Sequence, residues 1–184
     1  MSAEKTVNIY TDGACAGNQS EENFGGWGSI LEYGKHMKEA YGGEINTTNN
    51  RMELTALVKA FEMLTKENLK IRVFSDSAYL IRCLNEKWYE NWIRNGWKTS
   101  AKKPVENRDL WESILCHLGK HNVVFFHVKG HVDLNSKGIN IDDHYRKHMA
   151  IYGNIFSKDE FIYITKMNNR ADTLANKGIT SIRS

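Results

Sequence analysis

The amino-acid sequence predicts an α/β fold in which a mixed β-sheet is flanked by α-helices. The first observation is that three β-rich runs come before any strong helical pattern. The second is that two later β-rich runs alternate with helical segments, an order typical of parallel strands. The third is that the 184 residues, 41% of them hydrophobic, include one proline, Pro104, and no linker rich in Pro or Ser. We therefore expect one core and a single domain, residues 1–184.

Five strands are predicted from β-branched and alternating apolar residues. They are residues 6–13, 24–33, 36–44, 70–76 and 122–128. Helices are predicted at 50–65, 77–85 and 107–118, and after Asn169. If strands 6–13 and 70–76 are adjacent and parallel, Asp12 and Asp76 emerge together at the edge where α/β sheets bind ligands.

Composition and motifs exclude several classes of protein. No segment resembles a signal peptide or a membrane span, so we expect a cytoplasmic protein with no membrane partner. The three cysteines are scattered and lack zinc-site spacing, which argues against a disulfide framework and indicates a reducing compartment. GGWGSIL lacks the third glycine of a dinucleotide-binding loop, and TDGA lacks the second aspartate of an aspartyl-phosphate phosphatase.

Two runs of the form Asn-Arg-X-acid precede helical patterns: NNRMEL at 49–54 and NNRADTL at 168–174. Each is typical of a helix start, with Asn50 or Asn169 as the N-cap and Glu53 or Asp172 closing a capping box. The helical face that carries Glu53 is otherwise apolar and should pack on the sheet, where a lone carboxylate is costly to bury. Capping alone is therefore an incomplete explanation of these acids.

Four acids indicate a different function when they are considered together than when each is considered alone. They are Asp12, Glu53, Asp76 and Asp172. Singly, Asp12 is typical of a turn and Asp76 of a helix cap. Together at one sheet edge, four carboxylates would repel one another unless cations neutralised them. Hard oxygen ligands favour Mg²⁺ or Mn²⁺, and two such ions can hold both oxygens of an in-line phosphoryl displacement. The set therefore predicts hydrolysis of a phosphodiester.

Six motifs, in order, resemble type 1 ribonuclease H of the bacterial kind. They are YTDGACAGN (10–18), TTNNRMELTAL (47–57), FSDSAYL (74–80), NWIRNGWKTSAKKPVENRDLW (91–111), VKGH (128–131) and NNRADTLA (168–175). The resemblance implies a ribonuclease H-like fold with a five-stranded mixed sheet. It also implies a monomeric endoribonuclease that hydrolyses the RNA strand of RNA–DNA hybrids with two Mg²⁺ ions, Mn²⁺ being a possible substitute. The expected products carry 5′-phosphate and 3′-hydroxyl ends.

The resemblance assigns catalytic roles by position. Asp12, Glu53, Asp76 and Asp172 match the family's metal-binding acids. His131 matches a mobile histidine that assists proton transfer or product departure, and histidine suits proton transfer near neutral pH. Without the other motifs, His131 would be interpreted as a surface-loop residue.

The resemblance also implies contacts with the hybrid. Asn18, Asn49 and Asn50 match positions that contact its minor groove, where 2′-hydroxyls can be recognised. Thr48 and Asn107 match a pocket for a DNA phosphate. The segment 87–103, here called the basic protrusion, matches a region that grips the DNA strand through Trp88, Trp92, Trp97, Lys98, Thr99, Lys102 and Lys103. Some of these tryptophans, Trp88 first, are expected to pack a small helical hairpin instead.

Three features depart from the family. Ala78 replaces a common Gln, and Asn46 stands where some relatives place an Arg in the phosphate pocket. Residues 132–167, here called the insertion, separate His131 from Asp172 where the family has a much shorter loop. Within the insertion, IDDHYRKHMAIYG is predicted to be helical and EFIYIT to be a strand. A flap over the active site, an extra substrate contact and a partner surface all remain open for it.

Two other functions are compatible with the same fold. One is a binding module that has lost catalysis, which the retention of all four acids argues against. The other is a nuclease or resolvase that acts on DNA. The TTNNRMEL run and the basic protrusion favour hybrid recognition instead.

Overall fold

The sheet has the mixed, five-stranded architecture that the sequence predicts. The computed structural model describes residues 5–17 and 22–183. Its strands are β1 Val7–Ala16, β2 Phe24–Tyr33, β3 His36–Ile45, β4 Lys70–Ser75 and β5 Asn122–His127, in the order β3-β2-β1-β4-β5. β2 pairs antiparallel with β1 and β3, whereas β4 pairs parallel with β1 and β5.

Helices cover both faces of the sheet. They are α1 Asn49–Glu62, α2 Ala78–Asn85, α3 Trp88–Arg94, α4 Arg108–Leu118, α5 Ile141–Tyr152 and α6 Lys158–Ile182. Ile9 of β1 joins the core cluster that contains α1, α2 and α4, whereas its neighbour Tyr10 joins the cluster that contains α6. This alternation follows from the pleat of a strand, which points successive side chains to opposite faces.

The helix α6 lies directly on β2 because the strand carries glycines there. A Cβ atom on Gly28 would lie 2.4 Å from the carbonyl oxygen of Ala171, and one on Gly26 would lie 1.9 Å from that of Ala175. Any larger residue at these two positions would force the helix away from the sheet. Since Asp172 lies between Ala171 and Ala175 in the chain, this close packing fixes its position relative to β1 and β2.

The predicted helix starts at Asn50 and Asn169 are wrong. Thr48 is the N-cap of α1, and its hydroxyl accepts a hydrogen bond from the backbone N–H of Arg51 at 3.1 Å. α6 begins much earlier than predicted, at Lys158, where Ser157 and Glu160 form a reciprocal capping box. Asn169 therefore lies in the middle of a helix, and neither Glu53 nor Asp172 closes a capping box.

The predicted strand at EFIYIT is also wrong, because these residues form the first turns of α6. Phe161, Ile164 and Thr165 are the buried residues of this run. Their spacing of three and four is that of a helical face, and the capping box sets the chain on that path. The helix predicted at IDDHYRKHMAIYG is confirmed as α5.

The insertion contributes to the core of the domain. Phe156, which is 2% exposed, lies between α5 and α6. Its ring centroid is 5.8 Å from that of Phe74 on β4 and 5.1 Å from that of Phe126 on β5. Tyr152 packs edge-on against Phe126 as well. The insertion therefore covers the part of the sheet formed by β4 and β5, on the same face as α6.

Two further expectations concern cysteines and membranes. Cys15, Cys83 and Cys116 are all free thiols, in agreement with the absence of a disulfide framework. Across residues 5–17 and 22–183, no helix is both long and apolar enough to cross a membrane.

We propose that the insertion unfolds together with the rest of the domain, and the Phe156→Ala variant tests this. It should lower the free energy of unfolding by about 3–5 kcal/mol, because truncating a buried aromatic ring leaves a cavity. The matched control is Ile155→Ala, whose side chain is 55% exposed and should change stability by less than about 0.5 kcal/mol. Urea unfolding followed by circular dichroism measures both. Equal, small effects of the two substitutions would contradict the proposal.

Candidate functional site

Asp12 and Asp76 meet because β1 and β4 are adjacent and parallel. The parallel pairing ends with Thr11 opposite Ser75, and Asp12 and Asp76 are the residues that directly follow this pair. This confirms that the two acids emerge together. Asp12 does not end its strand, however, because β1 continues to Ala16 and pairs with β2 throughout. The turn interpretation of Asp12 is therefore wrong.

Glu53 reaches the same point from α1, which closely approaches β1 at Gly13. A Cβ atom on Gly13 would lie 2.4 Å from the backbone nitrogen of Glu53. Glu53 is 3% exposed, and one carboxylate oxygen from each of Asp12, Glu53 and Asp76 lies within 4.8 Å of the others. Three carboxylates from three different elements therefore share one small volume.

Asp172 and His131 complete the site from α6 and from the loop after β5. Both line the cleft that contains Asp12, Glu53 and Asp76. The Nδ1 atom of His131 lies 3.9 Å from Oδ2 of Asp172, and its imidazole is exposed. His131 has a left-handed backbone with φ of 55°, a conformation that non-glycine residues seldom adopt outside turns and functional sites.

Burial and mutual repulsion raise the pKa values of two of the acids. Burial, followed by the charges of Glu53 and Asp76 and by contact with Asp172, raises the pKa of Asp12 to about 11. Burial, together with the charge of Asp76, raises the pKa of Glu53 to about 8. In the described part of the chain, the buried Oε2 atom of Glu53 also has no hydrogen-bond partner. A hard divalent cation would satisfy this oxygen and offset the repulsion, so the residues fit divalent metal binding.

The acids open onto a cleft of about 630 Å³ at the protein surface. Asn49 of α1 and Cys15 of β1 also line it, whereas none of residues 132–167, all of which are described, does so. The flap interpretation of the insertion therefore finds no support. An apolar cavity of about 280 Å³ lies elsewhere, beside Val7 and Leu64, but contains no carboxylate.

The residues predicted to bind nucleic acid surround the start of α1. Arg51 connects two of them, because its backbone N–H donates to Thr48 and its Nη1 donates to Oδ1 of Asn107 at 3.2 Å. The guanidinium also pairs with Asp109. Asn49 and Asn50 are exposed at the first turn of α1. The prediction for Asn18 falls outside the described residues.

The tryptophans of the basic protrusion are half-buried and make contacts within the protein. Trp92 packs edge-on against the buried Trp111 at 5.2 Å, and Arg108 lies over the ring of Trp97. Trp88 donates a hydrogen bond from Nε1 to Glu86. Packing within the protein was expected for some of these tryptophans, above all for Trp88. All three make such contacts.

The lysines of the basic protrusion face solvent. Lys102 and Lys103 belong to a turn in which the backbone N–H of Thr99 donates to the carbonyl of Lys103 at 2.8 Å. Lys98 is likewise exposed, whereas Thr99 is half-buried. The protrusion therefore presents a charged tip on a base of packed aromatic rings.

Sequence reasoning missed Asn168, which contacts an acid of the site. Its Nδ2 atom donates to Oδ2 of Asp76 at 3.3 Å. The available signal was its position four residues before Asp172, which places both on one face of a continuous helix. That signal was hidden because the helix was expected to start only after Asn169, whose Nδ2 in fact donates to the carbonyl of Val132 at 2.8 Å.

The two departures from the family have simple structural positions. The Oδ1 atom of Asn46 accepts from the backbone N–H of Asn23 at 3.3 Å, which ties the start of β2 to the end of β3. Ala78 is the first residue of α2, after the cap Ser77.

His148, four residues after His144, is buried against Tyr152, Phe156 and Phe161.

Comparison with known proteins identifies the family to which the chain belongs. A family model described as RNase H matches residues 4–150. Ribonuclease H from Chlorobaculum parvum is 52% identical over 130 residues, which cover 71% of this chain and 86% of the relative. Ribonuclease H from Clostridium botulinum strain Hall is 51% identical over 129 residues, 70% of this chain and 86% of the relative.

A solved structure extends the likeness to most of the fold. LC9-RNase H1, described as a type 1 RNase H with the type 2 active-site motif, superimposes with a TM-score of 0.61 at 25% identity. The superposition covers 91% of this chain and 87% of that one. The chain therefore belongs to the ribonuclease H family of nucleases.

Proposed function

We propose that this protein is an endoribonuclease that hydrolyses the RNA strand of RNA–DNA hybrids. The observation that carries the proposal is the convergence of four carboxylates, from β1, α1, the end of β4 and α6, in an open cleft. Family membership supports the same activity, since the relatives are named ribonucleases H. The inactive module and the DNA nuclease are the alternatives to be tested.

The proposed cofactor is Mg²⁺, with two ions at the site when substrate is present and Mn²⁺ as a substitute. Asp12, Glu53, Asp76 and Asp172 are the residues that would hold the ions. When bound, the ions supply neutralisation of phosphate charge and Lewis-acid activation. The rigid strands and the close seating of α1 and α6 keep the carboxylates in place before substrate arrives.

His131 has the proposed role of moving a proton. Its ring is exposed and lies beside Asp172, so one nitrogen can face the acid while the other faces the cleft. An exposed imidazole on a loop can accept a proton near the cleaved bond and release it to solvent. The exposure of this side chain also suits a role in product departure.

Hybrid recognition is proposed for residues around the start of α1 and for the basic protrusion. Asn49 and Asn50, together with Asn18, would contact the minor groove, where hydroxyl groups distinguish RNA from DNA. Thr48 and Asn107, joined through Arg51, would receive a DNA phosphate. Trp88, Trp92, Trp97, Lys98, Thr99, Lys102 and Lys103 would form or support the DNA grip, with the lysines supplying the charge. We further propose that the protein acts as a monomer in the cytoplasm.

The Glu53→Gln variant tests whether the acids destabilise the metal-free fold. The pKa of Glu53 rises from 4.5 to about 8 on folding, so wild-type stability in chelator should fall as pH rises through that window. At about pH 8 the variant should therefore be more stable by more than about 1 kcal/mol, the equivalent of a pKa shift of roughly one unit. The gain should shrink towards pH 5.

Urea unfolding followed by tryptophan fluorescence measures this difference. The exposed Glu62→Gln on the same helix is the control and should show no such gain. A loss of stability in Glu53→Gln would contradict the expectation and restore a structural role for that carboxylate.

The Glu53→Gln and Asp172→Asn variants test catalysis on a hybrid with labelled RNA. Each should cut more than about 100-fold more slowly, because losing even an outer-shell partner of a metal ligand costs about 10–100-fold. Circular dichroism spectra should be unchanged, and Glu62→Gln should retain the wild-type rate. Wild-type cleavage rates in either variant would rule out the assigned roles.

The double variant Lys102→Ala/Lys103→Ala tests the charged tip of the basic protrusion. Hybrid binding should weaken, and the slope of log K against log salt should become shallower by about 2, about 1 for each lysine that no longer neutralises a phosphate. KM should rise with little change in kcat. Lys35→Ala/Lys66→Ala is the matched control, because both lysines lie near Val7, at the end of β1 away from the acids. Equal effects in both double variants would indicate a general effect of net charge, without specific contacts between Lys102 or Lys103 and the hybrid.

A further inference from the structure

We propose that Asn168 is a positioning residue that fixes the carboxylate of Asp76 and thereby sets the metal affinity of the site. The inference rests on the proposed function, since it concerns the same four acids. It adds a fifth side chain that would not touch metal or substrate itself. Three contacts around Asp76 lead to it.

The first contact is the hydrogen bond from Nδ2 of Asn168 to Oδ2 of Asp76, at 3.3 Å. Asn168 is 1% exposed, and the residues on either side of its helical face, Ile164 and Ala171, are apolar and buried. Among the described residues, its Oδ1 atom has no hydrogen-bond partner. Burying an amide with an unsatisfied oxygen is costly, so packing alone would favour an apolar side chain here.

The orientation of the amide follows from its neighbour. Turning it over would place the carbonyl oxygen against a carboxylate oxygen, and two acceptors repel at that distance. The Nδ2 group is therefore the end that faces Asp76. The unsatisfied Oδ1 is the cost of holding a donor at this position.

The second contact is made by Gly130. A Cβ atom on Gly130 would lie 2.1 Å from the same Oδ2 atom of Asp76, so the loop that carries His131 passes directly against this oxygen. A larger residue at this position would force the carboxylate of Asp76 to move. Oδ2 thus accepts a hydrogen bond from α6 on one side and lies close to the backbone of Gly130 on the other, and both contacts restrict the rotation of the carboxylate.

The third contact holds the backbone of Asp76. The Nε2 atom of His127 lies 3.2 Å from the carbonyl oxygen of Asp76. The backbone N–H of His127 in turn donates to the hydroxyl of Tyr152, on α5, at 2.7 Å. Asp76 follows the end of β4 and has no strand partner of its own, so these contacts replace the support that a ladder would give.

Fixing one ligand in advance has a measurable consequence. Outer-shell hydrogen bonds orient metal ligands, and their loss typically costs about 10–100-fold in metal affinity or activity. Without Asn168, Asp76 would be free to turn away from Asp12 and Glu53 to relieve their mutual repulsion. Part of the binding free energy of a cation would then be used to bring the carboxylate of Asp76 back into position.

The test compares Asn168→Leu, which keeps the volume but loses the donor, with Asn168→Ala, which loses both. Thr165→Val is the control, because Thr165 is also buried on α6 and its hydroxyl donates to the carbonyl of Phe161, away from the acids. Isothermal titration calorimetry with Mn²⁺, without substrate, measures metal affinity. The Mg²⁺ concentration for half-maximal hybrid cleavage is the second readout, and the melting temperature in chelator checks the fold.

Both Asn168 variants should bind Mn²⁺ at least about 10-fold more weakly and require correspondingly more Mg²⁺, with Thr165→Val at wild-type values. Wild-type Mn²⁺ affinity in either folded Asn168 variant would overturn the inference. Equal weakening in Thr165→Val would also overturn it, by showing a general loosening of α6. Absence of cleavage by the wild-type protein would instead count against the proposed function, since Mn²⁺ binding is measured independently of it.

Discussion

The constraint on which the rest of this structure depends is the crowding of carboxylates at one edge of the sheet. Asp12, Glu53 and Asp76 come within 4.8 Å of one another, and burial and repulsion raise the pKa of Asp12 and of Glu53. Such a cluster persists only if the surrounding elements are held firmly. The close contacts at Gly13 and Gly28 provide this by seating α1 and α6 directly on the strands. The same features that make the metal-free site unfavourable prepare it for a divalent cation.

The insertion helps to hold the elements around the acids in place, and it does not line the cleft. Phe156 and Tyr152 cover Phe74 and Phe126, and the hydroxyl of Tyr152 accepts from the backbone N–H of His127. Asn169 holds the first residue of the insertion, Val132, next to α6. The loop that carries His131 is therefore fixed at both ends, by β5 before it and by α6 after it. The insertion thus adds to the cover that α6 gives to β4 and β5 on one face of the sheet.

Much of this fold was predictable from local signals. The five strands have clear apolar patterns, and the adjacency of Asp12 and Asp76 follows from parallel pairing alone. The start of α6 was not predicted, because the Asn-Arg run at 168–171 resembles a helix start while the true cap, Ser157 with Glu160, lies inside an unfamiliar segment. Asn168 was missed partly for the same reason, because it precedes the helix start that was predicted. Its partner Asp76 is 92 residues away, and only the packing of α6 on the sheet brings them together.

The most direct measurement is strand-specific cleavage by the wild-type protein, with Mg²⁺ or with chelator. The substrates are an RNA–DNA hybrid labelled on either strand, duplex DNA and duplex RNA. We expect Mg²⁺-dependent cutting of the RNA strand of the hybrid and of no other strand. Hybrid binding without cutting, even with Mn²⁺, would contradict catalysis and indicate a binding module. Cutting of duplex DNA would contradict the proposed substrate while leaving the acidic metal site intact.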